Sequence, residues 1–185
     1  MVNMTEQSIR RLNWGCGATG EPGWINSDLK EGPGVDISCD IRNGLPLDSD
    51  SIDYAVSIHA LPELTYPDLV PALEELCRVI KPGGFLRLSL PDMLKGVEAY
   101  QRGDRSYFLI PDEDARTLEG KLVVQLTWYG YSRSLFTPGF VEELLLKSGY
   151  RAVEHVSYRE TKSRFPGIVE LDNREAESLF IEATK

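Results

Sequence analysis

The chain has 185 residues, a formal net charge of −9, 42% hydrophobic and 26% charged residues, a length and balance suited to one soluble domain with a single sizeable core. Its acidity argues against nucleic acid as the main partner, because proteins that live on phosphate contacts are usually basic. No apolar run reaches the ~18–20 residues of a membrane span, residues 1–11 lack the apolar core of a signal peptide, and Cys16, Cys39 and Cys77 are too far apart for a metal-type pair or a disulfide framework, so a cytoplasmic chain without a metal centre is expected.

In chain order, residues 9–14 predict a strand that runs into Gly15-Cys16-Gly17. Residues 24–28 and 35–40 predict two more, each ending on a carboxylate, Asp28 and Asp40. Residues 52–59, rich in β-branched and aromatic side chains, predict a fourth that ends at His59. Leu69, Leu73, Leu76, Cys77 and Ile80 fall at helical spacing. With Asp68 as N-cap, Pro71 would fall in the tolerated first turn, and Lys81-Pro82-Gly83-Gly84 stops this helix before a strand over 85–90. Thr137-Pro138 opens another helix that ends at Gly149. Strands over 152–158 and 177–183, joined by a long polar connection, close the chain. The alternation predicts one α/β domain over 1–185, with a mostly parallel sheet, helices on both faces, and a ligand site beyond the carboxyl ends of the strands.

Gly15, Gly17 and Gly20 carry the spacing of a dinucleotide fingerprint, but Ala18-Thr19-Gly20-Glu21-Pro22-Gly23 is a poor helix where a pyrophosphate needs a helix N-terminus. Asp28 follows Gly17 by eleven residues, sooner than the ~20 of a dinucleotide site. Two carboxylates beside the turn repel a pyrophosphate by about 1–4 kcal/mol each at ~4 Å and attract a cation. One carboxylate can accept both ribose hydroxyls and a second an exocyclic amine, while the N–H groups of the turn suit an amino-acid carboxylate. Ribose, amine, carboxylate and a positive centre together describe S-adenosylmethionine (SAM).

On these residues the chain resembles the class I SAM-dependent methyltransferases. The resemblance is specific between Arg10 and Asp92 and looser beyond. It rests on Leu12-Asn13-Trp14-Gly15-Cys16-Gly17, on the Asp28 strand end, on Cys39-Asp40-Ile41 followed by the acidic bend Gly44-Leu45-Pro46-Leu47-Asp48, and on Arg78-Val79-Ile80-Lys81-Pro82-Gly83-Gly84. The ending Ser178-Leu179-Phe180-Ile181-Glu182 is similar to the last strand of a small bacterial subgroup of predicted methyltransferases of type 11. The resemblance implies a Rossmann-like fold with seven strands, six parallel and the last antiparallel. It implies that Trp14, Gly15, Cys16 and Gly17 line the methionine end, that Asp28 binds the ribose with Leu29 against the adenine, and that Asp40 meets the adenine amine with Ile41 on the ring. His59 would lie near the methyl, as a cofactor contact and as the candidate for direct proton transfer. Cys16 reads as a small residue fitting the turn rather than a nucleophile. SAM would be the donor, S-adenosylhomocysteine the product, and a small molecule or sugar the acceptor. Residues 93–136 are long enough to form an acceptor-side lid, although Trp128 and its neighbouring tyrosines could equally pack a local core.

Two departures stand out. The first helix of the family fold is shortened or absent between Gly17 and Trp24, and Leu61-Pro62-Glu63-Leu64 stands where many relatives have Leu-Glu-His-Leu, so no role passes to Glu63. They motivate an alternative, a SAM-binding regulatory or scaffold module without transferase activity. The glycine spacing leaves a third reading, a nicotinamide-dependent oxidoreductase, behind both.

Overall fold

In a computed structural model, which describes residues 9–185, seven strands form one sheet in the order β3-β2-β1-β4-β5-β7-β6. The N-terminal stretch read for a signal peptide lies, through Ser8, outside the described residues. The strands are β1 (Arg11–Trp14), β2 (Ile25–Asp28), β3 (Ile37–Ser38), β4 (Ile52–Ile58), β5 (Ile80–Pro91), β6 (Ala152–Val156) and β7 (Ser178–Thr184). β7 runs antiparallel to both its neighbours, and the other adjacent pairs are parallel. Among the described residues no helix is long and apolar enough to cross a membrane.

Pleating sends alternate side chains to opposite faces. On one face Leu12, Ala55, Leu86, Leu88 and Ile181 join a core with α1 (Tyr66–Val79) and α4 (Pro138–Lys147), through Leu69, Leu73, Leu76, Val141 and Leu145. On the other, Tyr54 and Val56 pack with Trp24, Phe165 and Ile168. The expectation of helices on both faces is thus met unequally: α1 and α4 cover one, while residues 157–177, with a single 3-10 turn at Pro166–Val169, cover the other. The connections β1–β2 and β2–β3 are turns, and they lock backbone to backbone. The Gly34 N–H donates to the Ala18 carbonyl, and a Cβ on Gly34 would fall 1.6 Å from the Thr19 oxygen.

Most strand ends shift by a residue or two, and three sequence-based boundaries move in ways that change the local structure. β3 keeps two residues, so Asp40 stands beyond the strand as N-cap of a 3-10 turn at Ile41–Asn43. α1 starts a turn earlier than expected, with Thr65 rather than Asp68 at its N-cap, because Pro67 already supplies a favourable first-turn φ. The Thr65 hydroxyl donates to Asp68 at 2.5 Å, and Pro71 is left inside the helix. Lys81–Gly84 is not a gap between helix and strand but an irregularity within β5, where the register jumps from Ile52 against Ile80 to Tyr54 against Phe85. Residues 93–136 hold α2 (Met93–Gln101) and α3 (Leu118–Thr127), with short 3-10 turns at Arg105–Tyr107 and Trp128–Gly130.

Candidate functional site

The connections after β1 and β4 leave their shared boundary in opposite directions, which opens a crevice beyond their carboxyl ends. The N–H groups of Gly15 and Cys16 both donate to the Ser27 carbonyl, at 2.8 and 3.1 Å, and tie the turn to β2. Gly15 has φ +73°, and a Cβ there would lie 2.1 Å from that of Ala60, so the turns after β1 and β4 can touch only because Gly15 lacks a side chain. Gly17, φ +69°, lines the crevice, and a Cβ on it would meet nothing within 4 Å. Its N–H donates to Asp28 Oδ2 at 2.8 Å, and that of Lys30 to Oδ1 at 3.1 Å. Each oxygen keeps a lone pair for another donor. Asp28 is therefore aimed and still able to accept a pair of hydroxyls.

The cleft has a volume of about 800 Å³, within the range of small-molecule sites. Trp14, Gly15, Gly17, Asp28, Leu29, Asp40, Ile41 and His59 all line it. Leu29 is 59% exposed, a large apolar side chain offered to whatever fills the cleft. Ile41 is buried in the core and shows the cleft one edge. Asp40 accepts from the Arg42 N–H at 3.0 Å and from its Nε and Nη2 at 2.5–3.0 Å. The Arg42 hydrogen bonds hold its carboxyl below the usual range. Cys16 is the exception among the expected residues. It does not line the cleft, its Sγ lies 3.2 Å from the Gly17 carbonyl, and burial together with nearby Asp28 pushes its thiol up.

His59 leaves β4 with a left-handed backbone, φ +55°, and donates its N–H to the Ser89 carbonyl. Its Nε2 lies 2.7 Å from Ser178 Oγ and its Nδ1 3.3 Å from Arg174 Nη1. A guanidinium can only donate, so Nδ1 accepts and the ring proton sits on Nε2, facing Ser178. Burial, then the Arg174 charge, pushes the imidazole down to about 3. The ring is neutral at physiological pH, with its one lone pair occupied.

Beyond His59 lies a second cavity of about 140 Å³. Its walls include Met93, Tyr107, Phe108, Leu122, Leu126 and Trp128 from the 93–136 segment, with Asp92 and Glu177. His59, Glu63, Tyr131 and Arg174 line both spaces, so the two meet there. Buried Lys121 donates to the Ile110 carbonyl and pairs with Asp112 at 2.9 Å, which anchors α3 to the preceding loop. Sequence reasoning singled out neither Arg174 nor Glu177. They sit in a polar connection, and Arg174 is 115 positions from the histidine it touches. One signal was available: an antiparallel last strand must begin at the end where the parallel strands stop, so the residues just before β7 arrive at the site.

Residues 12–88 match a family model described as a methyltransferase domain. No curated protein matches the chain. Among solved structures, the chain is similar to a SAM-dependent methyltransferase from Thermotoga maritima, a possible histamine N-methyltransferase, with TM-score 0.58, 18% identity, and coverage of 95% of this chain and 82% of that one. It is similar to a SAM-dependent methyltransferase from Mesorhizobium loti, with TM-score 0.57, 19% identity, and coverage of 96% and 91%. A third, from Archaeoglobus fulgidus, has TM-score 0.59, 12% identity, and coverage of 96% and 87%. At these identities the likeness establishes a shared fold.

Proposed function

We propose that the chain, whose residues 12–88 match a methyltransferase domain model, is a class I SAM-dependent methyltransferase, and that it works as a single domain that transfers a methyl group from SAM in the larger cleft to a small molecule or sugar unit in the smaller cavity, with residues 93–136 as the acceptor-side wall. The observation that carries this reading is the junction. A cleft with a hydroxyl-accepting carboxylate and a separate, mostly apolar cavity meet at His59 and Arg174.

The residues present fit the donor. Asp28 has lone pairs to spare for the ribose hydroxyls, and from the same cleft Leu29 and Ile41 would flank the base and Asp40 would meet its amine. Trp14, Gly15 and Gly17 would take the methionine end, where the open side of Gly17 leaves room. SAM supplies a methyl on a sulfonium, an electrophile that needs no further activation. The protein's work is to align the acceptor and keep water out, which is worth several kcal/mol of barrier. His59 can act as a base only if Arg174 releases Nδ1. In the observed arrangement it instead positions Arg174 between the two spaces.

Titration calorimetry with S-adenosylhomocysteine and with NAD tests the donor assignment. Heat from the former and none from the latter is expected. NAD binding without S-adenosylhomocysteine binding would return the glycine turn to dinucleotide chemistry.

A further inference from the structure

The charge of the smaller cavity is lopsided. Glu63, Asp92 and Glu177 line it against one cation, Arg174. Arg174 is already engaged, with Nη1 donating to His59 Nδ1 and lying 3.7 Å from Glu177 Oε1. Lys95, on the same α2 helix as Met93, turns its ammonium to the carbonyls of Glu175 and Ser178. Glu177 is the one of the three acids that is largely covered and yet without a hydrogen bond, since Asp92 accepts from the Leu94 N–H and Glu63 is exposed to solvent. The Glu177 side chain is 13% exposed, and among the described residues no hydrogen bond reaches its carboxylate, since 3.7 Å exceeds hydrogen-bond length. A carboxylate partly withdrawn from water without a hydrogen-bond partner carries a cost that a cationic donor would relieve, and burial pushes the Glu177 carboxyl up. Tyr107, in the same wall, feels the same field: burial, then the charges of Glu177 and Asp92, pushes its phenol up to about 12.

We infer that this cavity takes a small amine with an apolar body, its nitrogen against Glu177 and its body among Met93, Phe108, Leu122, Leu126 and Trp128, and that this amine is the methyl acceptor. The acceptor role rests on the reading of the adjoining cleft as the SAM site; the binding preference does not. The chemistry favours nitrogen. The lone pair of a neutral amine forms the N–C bond as the C–S bond breaks, the sulfur keeps that electron pair, and the positive charge passes from sulfur to nitrogen, towards Glu177. The methylated nitrogen then gives up its proton to solvent. Before attack the bound ammonium passes one proton to the Glu177 carboxylate against it, which frees the lone pair, and Glu177 later returns that proton to solvent. A hydroxyl is too weak an acid for a carboxylate to deprotonate in this way, and the lone pair of His59 is taken by Arg174.

The test titrates 2-phenylethylamine and 3-phenylpropionate, similar in shape and opposite in charge, into the full chain with and without S-adenosylhomocysteine. The amine should bind about ten-fold tighter than the acid or better. Glu177→Gln should weaken the amine by about ten-fold while holding S-adenosylhomocysteine affinity within about two-fold. Equal affinity for the pair, preference for the acid (which would make Arg174 the anchor), or no amine binding at millimolar concentration overturns the inference. So does an unchanged amine affinity in Glu177→Gln. If that variant does not fold, the comparison on the unsubstituted chain decides. Amine binding without transfer of labelled methyl from SAM overturns the acceptor role. Absence of S-adenosylhomocysteine binding sinks only the donor assignment, because the amine preference is also read without it.

Discussion

Gly15 and Gly17 stand two residues apart with the same left-handed backbone, yet they meet different surroundings. An alanine at either position pays about 1–2 kcal/mol for that backbone. At Gly15 the new methyl also collides with Ala60 at 2.1 Å, whereas at Gly17 it enters open cleft. Gly15→Ala should therefore cost about 2–4 kcal/mol of stability in urea unfolding. Gly17→Ala should cost no more than the backbone strain, yet weaken S-adenosylhomocysteine in calorimetry, since its methyl occupies ligand space. Equal stability losses in the two would mean that the Ala60 contact yields easily. His59 has a pH signature. Its folded value of about 3 lies below the unfolded ~6.5, so between these values the unfolded chain holds a proton that the folded chain does not. Stability from this group is complete above ~6.5 and is lost as pH falls towards ~3. His59→Asn, a residue that tolerates the left-handed backbone, should lose about 1 kcal/mol less than the unsubstituted chain between pH ~7 and ~5.5. Parallel losses would show the imidazole titrating normally. Gly15, Gly17, Asp28 and His59 were legible in sequence because each marks the point where a strand pattern stops. Arg174 and Glu177 were not, because what distinguishes them is contact with residues far away in the chain.

The elements that the sequence placed well are those whose pattern and boundaries agree. α4 starts at Thr137-Pro138, as its N-cap signal says, with the threonine hydroxyl accepting from the Phe140 N–H. α1 shows what happens when two start signals compete. Asp68 before Pro71 and Thr65 before Pro67 are both plausible openings. The earlier one prevails, and Leu69 and Leu73 then bury on the same face as Leu76. The outcome leaves Pro71 with no N–H for the Pro67 carbonyl and its ring pressed on the preceding turn. Packing outweighs this local cost, so the cost should be recoverable. Pro71→Ala is expected to raise stability by about 1–3 kcal/mol with no change in S-adenosylhomocysteine affinity. A neutral or destabilising result in thermal unfolding would mean that the ring itself fills core space. β3 is the opposite case. The apolar run over 35–40 reads as a full strand, but it lies at the sheet edge with a neighbour on one side, and only Ile37 and Ser38 pair. Edge pairing is decided by what lies alongside, which local sequence does not encode.

The molecule as a whole substitutes a polar strap for helices on one face of its sheet, and the strap is fastened at one buried point. Arg87 of β5 is fully buried. Its Nε and Nη2 donate to the Asp172 carboxylate at 2.7 and 2.5 Å, and its Nη1 to Glu182 of β7 at 2.7 Å and to the Glu160 carbonyl at 2.9 Å. Glu182 also accepts from the Thr161 hydroxyl and the N–H groups of Lys162 and Ser163, and Asp172 from that of Arg159. One guanidinium thus pins both ends of the 157–177 strap to the sheet. An arginine in the middle of an apolar central strand announces that a partner exists. It does not say which of the 29 acidic residues supplies it, which is why this face was the least legible part of the fold. The fastening also bears on the site, because Arg174 and Glu177 follow Asp172 directly along the same strap. Removing one partner of a buried pair strands the other, at about 3–5 kcal/mol. Asp172→Ala should therefore lose that much in urea unfolding, raise amide exchange across 157–177 ahead of the rest of the chain, and free His59 from Arg174. The His59 ring should then titrate nearer its ordinary value by NMR. Asp172→Asn, which keeps the shape and part of the hydrogen bonding, should fall between the two. If the strap exchanges faster while Arg174 stays in contact with His59 by NMR, Arg174 is held by its own turn, and the fastening at Arg87 and the junction of the two cavities are independent.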